Sequence, residues 1–485
     1  MVRSDFRSYF TVVKRQVCET PAAWLAFAML LAWMFGLYWS DLFVERSATD
    51  PLDFLQLRAL WLAVEAVALL VSYAVMSCIQ KRVSALIVVG GASVFAGTIL
   101  VLFAPQGAQA DGLRIAGVVL TGIGSAALLS LQGIGFARKG PRPLLINVAL
   151  ALAVASLIDS TLLYMPEELQ AMVVSLLPAV CVVLIIVSLR GASEPEIRPS
   201  IPETGDRRKT ALRIVALPLV VGLAYGLMQR LTGDAYTASA TEVNAATIAS
   251  FFLSAVFLAL SALVFDSRKF IKLVCFVTIP TIGVAFVMLP LFANAREAVQ
   301  AICIIGFNSF YFMVWALWAG EGGGIALSKR FALGLFVLVG AESLGSMIGM
   351  RVVSAATESG STLAVVSLVV VYLLLMAAMF SFDRTGSSAN ATSPSRFDMP
   401  EAAPDNDEVL SLEEWAVRYG LSTRETEVFM LLAKGRNRVY ISKELFISDN
   451  TTRTHMKNIY RKLEVHSQQE LIDVLEGKAQ RKDPA

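Results

Sequence analysis

Residues 362–382 read TLAVVSLVVVYLLLMAAMFSF, and residues 383–409, which follow, read DRTGSSANATSPSRFDMPEAAPDNDEV. The first stretch is apolar over the about 20 residues that a helix needs to cross the hydrocarbon core of a bilayer. The second is rich in Ser, Ala, Pro, Asn and Asp, a composition typical of a flexible linker. We therefore expect a membrane domain that ends at 382, a linker, and a separate domain over 410–485.

Eleven similar apolar runs precede this one, so residues 1–382 are expected to form an all-α bundle of twelve membrane-spanning helices in the lipid bilayer. The composition agrees, because only 16% of the residues are charged, whereas soluble domains carry about 25%. The predicted spans are 22–40, 57–78, 83–104, 113–137, 143–165, 169–189, 211–231, 244–265, 270–292, 297–320, 331–350 and 362–382.

Lys and Arg are concentrated in alternate loops. With the N-terminus inside, the inner segments hold twenty of these residues and the outer segments six. Cytoplasmic loops of membrane proteins carry such an excess. An even number of spans then places both termini in the cytoplasm.

The membrane domain divides into two halves, 1–190 and 211–382, at a long basic cytoplasmic loop, 191–210. The basic pair Lys81-Arg82 corresponds to Arg268-Lys269 at nearly the spacing that separates Arg138-Lys139 from Lys329-Arg330, which indicates a six-plus-six repeat. This topology resembles the major facilitator superfamily of transporters. That family's signature between the second and third spans is not present at 80–83, so the resemblance rests on topology alone.

Five polar residues within the predicted spans are candidates for a ligand site, because ionisable groups inside a bilayer are costly. Glu65, Glu342 and Asn308 fall near mid-membrane, and Asp159 and Arg230 fall in the outer half. One interpretation is a cavity between the halves that binds a small-molecule signal of unknown identity. The other is structural pairing between helices or anchoring at the membrane interface.

Nothing in the sequence predicts catalysis, a metal or a cofactor. The five cysteines form no CxxC pair, and the only two histidines are His455 and His466, so a zinc or haem site is not expected. We find no phosphate loop and no Ser/His/Asp set, and we therefore expect no enzyme.

The C-terminal domain has clear helix signals. Ser411-x-x-Glu414, Ser422-x-x-Glu425 and Ser467-x-x-Glu470 are capping boxes, and Gly435 stands where a helix should end. The predicted helices cover about 423–434, 438–445, 449–463 and 468–476.

The third of these helices has two opposed faces. Its inward stripe has helical spacing and comprises Thr452, His455, Met456, Ile459 and Leu463. Arg453, Thr454, Lys457 and Arg461 lie on the other side. A helix, a tight turn and a helix with a basic outer face form the helix-turn-helix arrangement, in which the second helix enters the major groove of double-stranded DNA. A merely solvated basic face is the alternative for this helix taken alone.

The same residues resemble the LuxR-type helix-turn-helix. The stretches that carry the resemblance are Leu421 to Val428, Ala433-Lys434-Gly435, Ile441, Ile447 to Thr451, His455 and Ile459 to Leu463. Two positions depart from the family pattern, Thr452 where Val is usual and Ser442 where Ala is usual.

The resemblance implies a role for each exposed position. Arg453, Thr454 and Lys457 would read bases. Thr451, Asn458, Arg461 and Lys462 would contact the DNA backbone. The final helix would form a homodimer on promoter DNA.

The whole chain also resembles bacterial membrane-bound LuxR-type regulators, in which the membrane part is thought to act as a sensor. That implies a one-component regulator in the bacterial plasma membrane. A transporter with a regulatory DNA-binding tail is the alternative. The two differ in the cavity, because a transporter must open to both sides, whereas a sensor needs only two states that present the tail differently.

Overall fold

The computed structural model describes the chain as helices alone. The residues described are 21–40, 42, 51–79, 83–105, 108–191, 212–233, 240–292, 295–319, 324–358, 361–386, 415, 419, 421–433, 435, 437–445, 448–463, 465 and 467–475. They fall into two compact units, Met1–Pro400 and Glu401–Ala485. The predicted all-α class is confirmed.

The first unit contains one long helix for each of the twelve predicted spans. These helices are α1 Pro21–Tyr38, α2 Pro51–Ile79, α3 Val83–Leu102, α4 Ala108–Ala137, α5 Pro141–Leu162, α6 Glu167–Gly191, α7 Leu217–Leu231, α8 Ala240–Val264, α9 Ile279–Leu291, α10 Arg296–Ala319, α11 Gly324–Glu358 and α12 Ser361–Gly386. Eleven of the twelve segments are long and apolar enough to cross a membrane, and in α3 the apolar stretch Leu86–Leu102 is shorter.

Two membrane helices begin with a π-helical turn, Leu212–Ala216 before α7 and Val274–Thr278 before α9. Helix α12 continues to Gly386, four residues beyond the predicted end of the twelfth span at 382. The rest of the predicted linker, and the central loop after Gly191, lie outside the described residues.

The two halves repeat the same pattern of helix packing. In the first half α1 contacts α5, α4 contacts both α2 and α3, and α3 contacts α6. In the second half α7 contacts α11, α10 contacts both α8 and α9, and α9 contacts α12. Each contact is reproduced six helices later, so the predicted six-plus-six repeat is confirmed. The halves meet through α2 against α11 and α5 against α8.

Glycines allow α7 and α11 to pack with their backbones in contact. A Cβ atom added at Gly226 would overlap the carbonyl oxygen of Glu342, and one at Gly345 would overlap the carbonyl oxygen of Leu223. Gly222 and Gly349 stand one turn away at the same crossing. Small residues at four-residue spacing are the usual means of close packing in lipid, where dispersion contacts replace the hydrophobic effect.

The second unit contains the four predicted short helices, α13 Thr423–Ala433, α14 Arg438–Glu444, α15 Asp449–Lys462 and α16 Gln468–Leu475. They enclose a hydrophobic core of their own. Its members are Trp415, Val428, Phe429, Leu432, Ile441, Ile459, Leu463, Val465 and Leu471.

The expected helix caps set the boundaries of α13. The Ser422 amide donates to Glu425 Oε2 at 2.8 Å, and the Glu425 amide donates to Ser422 Oγ at 3.4 Å, which completes the capping box. Gly435 has φ of 73° and donates its amide to the Leu432 carbonyl, as a glycine after a helix end does. The predicted box at Ser411 lies outside the described residues.

We expect Gly226→Ala to destabilise the membrane domain more than Gly283→Ala does. A methyl group at Gly226 collides with backbone, whereas one at Gly283 in α9 meets no atom within 4 Å. Overpacking costs about 1–3 kcal/mol. Thermal unfolding of the purified protein in detergent measures the difference, and equal midpoints for the two variants would contradict the close α7–α11 crossing.

Candidate DNA interface and ligand cavity

Helix α15 is held in the second unit by the cap at its N-terminus and by its buried face. Ser448 caps it, since the Thr451 amide donates to Ser448 Oγ at 3.1 Å. Thr452 and Ile459 are fully buried, and Leu463 is buried at the end of the helix. Of the five residues predicted for the inward stripe these three are buried, and His455 and Met456 are half-buried.

The predicted base-reading residues share the opposite, exposed face of α15. Arg453, Thr454 and Lys457 are all exposed; the first two are adjacent, and Lys457 follows about one helical turn later. The Thr454 hydroxyl donates to the Asn450 carbonyl at 3.0 Å, so that hydroxyl is engaged with the helix itself. Asp449, in the first turn, is the only acidic residue of α15. The face beyond that turn is consequently positive.

Three of the predicted backbone-contact residues form hydrogen bonds with each other or with the N-cap residue. Arg461 Nη2 donates to Asn458 Oδ1 at 3.3 Å. The Thr451 and Ser448 hydroxyls are hydrogen-bonded at 2.7 Å. These bonds order the side chains on the edge of the basic face.

Lys462 makes a structural contact that the sequence analysis missed. Its Nζ forms an ion pair at 2.8 Å with Oε2 of Glu425, the same oxygen that accepts the Ser422 amide. The Glu425 carboxylate is buried, and the bonds from Lys462 and Ser422 lower its pKa to about 2. This pair joins α15 to the start of α13, so Lys462 holds the recognition helix in place.

Other ion pairs of the second unit leave the exposed face uncovered. Arg424 pairs with Glu427 at 2.6 Å within α13, and Arg438 of α14 pairs with Asp449 at 2.9 Å. With Lys462–Glu425, these pairs engage three of the four acidic residues between 421 and 463. Arg453 and Lys457 are exposed, and Asp449, one turn before Arg453, is paired with Arg438.

The membrane unit contains a cavity at which both halves meet; its empty space, counted together with its opening to solvent, is about 550 Å³. Three of the five predicted ligand residues line it: Glu65 of α2, Asn308 of α10 and Glu342 of α11. Most of the remaining wall is aromatic. These side chains are Phe35, Trp39, Trp61, Tyr225, Phe251, Phe307, Tyr311 and Phe312.

A chain of hydrogen bonds connects the halves beside this cavity. Arg58 of α2 donates one Nη to the Tyr38 carbonyl at 3.2 Å and the other to Gln229 Oε1 of α7. Gln229 Nε2 donates to Glu342 Oε1 at 3.0 Å. The guanidinium also lies 5.4 Å from the centre of the Trp39 ring, within cation–π range.

The other two predicted ligand residues lie elsewhere. Asp159 lines a second cavity of about 430 Å³, together with the ends of α1 and α5 and the start of α6. Arg230 lines neither of these two cavities, and its aliphatic part packs against Gly349 of α11. Its placement agrees with the structural interpretation given above for polar groups.

Sequence analysis missed Arg58 because it stands at the start of an apolar run and was counted among the outer cations. The spacing of Arg58 from Glu65 could have predicted that Arg58 lies inside the bundle. Arg58 and Glu65 are seven residues apart, which places both on one face of a helix. Both are almost completely buried, at 2% and 1% exposure.

Comparison with known proteins assigns the C-terminal fold. The family described as "Bacterial regulatory proteins, luxR family" matches residues 420–475. Residues 420–475 of the second unit thus form a LuxR-type helix-turn-helix domain, and the same chain carries a polytopic membrane domain. Comparison with curated proteins gave no match.

The membrane domain has the fold of major facilitator transporters. The human organic anion transporter MFSD10 (TETRAN) is 14% identical, with a TM-score of 0.54 over 76% of this chain and 99% of the transporter. An auto-inhibited POT family peptide transporter is 10% identical, with a TM-score of 0.52 over 79% and 98%. Likeness at this level of identity concerns the fold alone.

Glu425 should make the DNA-binding domain acid-sensitive. Because its pKa falls from 4.5 to about 2 on folding, the stabilisation is complete above pH 4.5 and is lost as the pH falls towards 2. Glu425→Gln should lower the free energy of unfolding of fragment 410–485 at pH 7 by about 1–3 kcal/mol and flatten its dependence on pH.

Urea unfolding followed by circular dichroism at pH 7 and pH 3 measures both effects. Glu427→Gln is the matched control, since Glu427 pairs with Arg424 on the exposed surface. If the two variants lose the same stability, the buried pair does not hold α15 to α13.

Proposed function

We propose that this protein is a one-component regulator that is anchored in the bacterial plasma membrane with both termini in the cytoplasm. Its LuxR-type domain binds double-stranded promoter DNA, and its membrane domain senses a small molecule. The observation that carries the DNA-binding role is the exposed basic face of α15 on a domain with its own core. The surplus of Lys and Arg in alternate loops supports the orientation.

The recognition helix supplies the chemistry that reading a major groove needs. An Arg side chain binds the O6 and N7 atoms of guanine with two parallel hydrogen bonds, and a Thr methyl group can contact thymine. Arg453, Thr454 and Lys457 present these groups on consecutive turns. Thr451, Asn458 and Arg461 border the face, where phosphates would pass.

Dimerisation on DNA would raise affinity by bringing two such faces to a two-fold site. We assign the contact to α16, as the family resemblance implies. Gln468 Nε2 donates to the Leu432 carbonyl at 3.1 Å, which fixes α16 against the end of α13. An ordered α16 supports a reproducible geometry for two copies.

The sensing role is supported by the cavity at the meeting of the halves. A ligand there would contact Glu342, which is tied to Arg58 through Gln229. Any ligand that competes for Glu342 would change the hydrogen bonding between α2, α7 and α11. Such a ligand would bind with different affinity to the arrangement in which Gln229 is bonded to Glu342 and to one in which this bond is broken. A difference in affinity of this kind is what shifts a protein between two states.

A transporter with a DNA-binding tail is the second candidate, and the fold of the membrane domain favours it. Accumulation of the inducing compound in proteoliposomes separates the two. Net transport across the membrane would support the transporter. Binding without transport, together with regulated transcription, would support the sensor.

Arg453→Ala and Lys457→Ala should relax sequence preference, with a loss of about 1–3 kcal/mol on the specific site for each base contact removed. Arg461→Ala should instead weaken binding to every sequence and reduce its dependence on salt. Titration of promoter fragments, found by genome-wide mapping of bound DNA, against scrambled DNA of equal length measures both. Equal losses on both kinds of DNA for all three variants would reject this base-reading face.

Glu342→Gln should abolish or lock the transcriptional response while membrane insertion and DNA binding persist, because it removes charge at the junction of the halves and nearly keeps the shape. The measurement is reporter output at matched protein level, with and without inducing growth conditions. Glu168→Gln, the same change at an exposed position in the first turn of α6, is the control. A fully inducible Glu342→Gln protein would exclude this carboxylate from sensing.

A further inference from the structure

Glu65 has an acceptor oxygen that the protein itself does not use. Its side chain is 1% exposed, and within the described residues its Oε1 accepts no hydrogen bond. Arg58, two turns earlier on α2, directs both Nη atoms to Tyr38 and Gln229. The Ser125 side chain is hydrogen-bonded to the same carboxylate and leaves this one oxygen open. Because a buried carboxylate oxygen without a partner is costly, Glu65 is suited to bind a cation that comes from outside the chain.

The wall around Glu65 favours a cation that carries an aromatic or apolar body. Tyr38 stacks on Trp61 with ring centres 4.3 Å apart, and Tyr225 stacks on Phe307 at 3.7 Å. Stacked rings of this kind give rigid, flat walls. The faces of Trp, Tyr and Phe attract ammonium groups, and this attraction strengthens where water is excluded.

The same cavity holds two hydrogen-bond donors that could bind an oxygen atom of the ligand. Within the described residues, Asn308 Nδ2 and Trp61 Nε1 have no hydrogen-bond acceptor. Both residues line the cavity with Glu65. An oxygen on the aromatic body of the ligand would satisfy one of them.

A second unsatisfied carboxylate lies in the neighbouring cavity. Asp159 is 6% exposed, and neither of its carboxylate oxygens has a hydrogen-bond partner in the described part of the chain. The two cavities share three aromatic side chains, Phe35, Trp39 and Phe251. Phe35 and Phe251 stack with their centres 3.6 Å apart, so an aromatic pair separates the two carboxylates.

We propose that the membrane domain binds an aromatic organic amine in its cationic form, with the ammonium at Glu65. The amine enters past Asp159 and crosses between Phe35 and Phe251. The inference rests on the proposed sensing function, and it assigns the chemical class of the signal. In the orientation predicted from the loop charges, the Asp159 cavity is at the outer end of the bundle, so the amine arrives from outside the cell.

The test uses the full-length protein in lipid nanodiscs. The probe is 2-(4-hydroxyphenyl)ethylammonium, and calorimetric titration compares it with 4-ethylphenol, which lacks the ammonium, and with 3-(4-hydroxyphenyl)propionate, which reverses the charge. We expect the cation to bind at least about tenfold more tightly than the neutral compound, and the anion not to bind. Similar affinity for all three, or no binding of the cation, would overturn the proposal.

Three variants locate the site and its route. Glu65→Gln should weaken cation binding by at least about tenfold, whereas Glu168→Gln should leave it unchanged. Asp159→Asn should slow association more than it changes dissociation, and the effect should fade at high salt. Phe35→Ala should speed both association and dissociation. If Glu65→Gln binds as well as Glu168→Gln and both keep the thermal unfolding midpoint of the parent, the ammonium does not bind at Glu65.

Reporter assays with the same probe distinguish failure of this inference from failure of the proposed function. If the protein regulates a promoter but binds no aromatic amine, the amine site is rejected and the proposed regulatory function stands. If the amine binds at Glu65 but does not change DNA occupancy, the binding site stands and the sensing role of the membrane domain is rejected.

Discussion

Arg58 donates to Gln229, and Gln229 donates to Glu342, so a cation and an anion on opposite halves of the bundle are joined through a neutral amide. The hydrocarbon around the bundle offers no water to these groups, and each must find its partner within the protein. The neighbouring Ser343 hydroxyl donates to the Ala59 carbonyl at 2.9 Å across the same boundary. The way α2 and α11 pack, and with it the shape of the central cavity, depends on these few polar contacts.

Charge is managed differently in the DNA-binding domain, where water is available. Glu425 accepts from Ser422 and from Lys462, and thereby joins a helix cap to the far end of the recognition helix. Arg453 and Lys457 remain on the exposed surface of α15. In this domain the buried carboxylate of Glu425 joins two helices, whereas the cations of Arg453 and Lys457 stay exposed.

The existence of every helix could be predicted, because the signals are local. Apolar runs of membrane length identify α1 to α12, and Ser422, Gly435 and Ser448 mark helix ends through the backbone groups they satisfy. The exposed basic face of α15 could also be predicted, since a soluble helix with one buried side shows its orientation in the spacing of apolar residues.

The composition of the ligand cavity could not be predicted in the same way. A membrane helix is apolar on all sides, so hydropathy does not fix its rotation about its own axis. This is why Glu65 and Glu342 share a cavity, Asp159 lies in another and Arg230 packs beside a glycine, although all four had the same signal. The structural contact of Lys462 joins residues 37 apart in the sequence, which no local pattern encodes.

The glycine contact between α7 and α11 has a mechanical consequence. Backbones packed this closely move together, so the pair acts as one stiff lever. Helix α11 has 35 residues, and at 1.5 Å per residue it is roughly 50 Å long. Glu342 lies near the midpoint of this helix, so we take it as the point about which the helix would tilt. A tilt of about 5° around that point would displace each tip by roughly 2 Å, which converts a small rearrangement of hydrogen bonds into a motion that is largest at the two membrane surfaces.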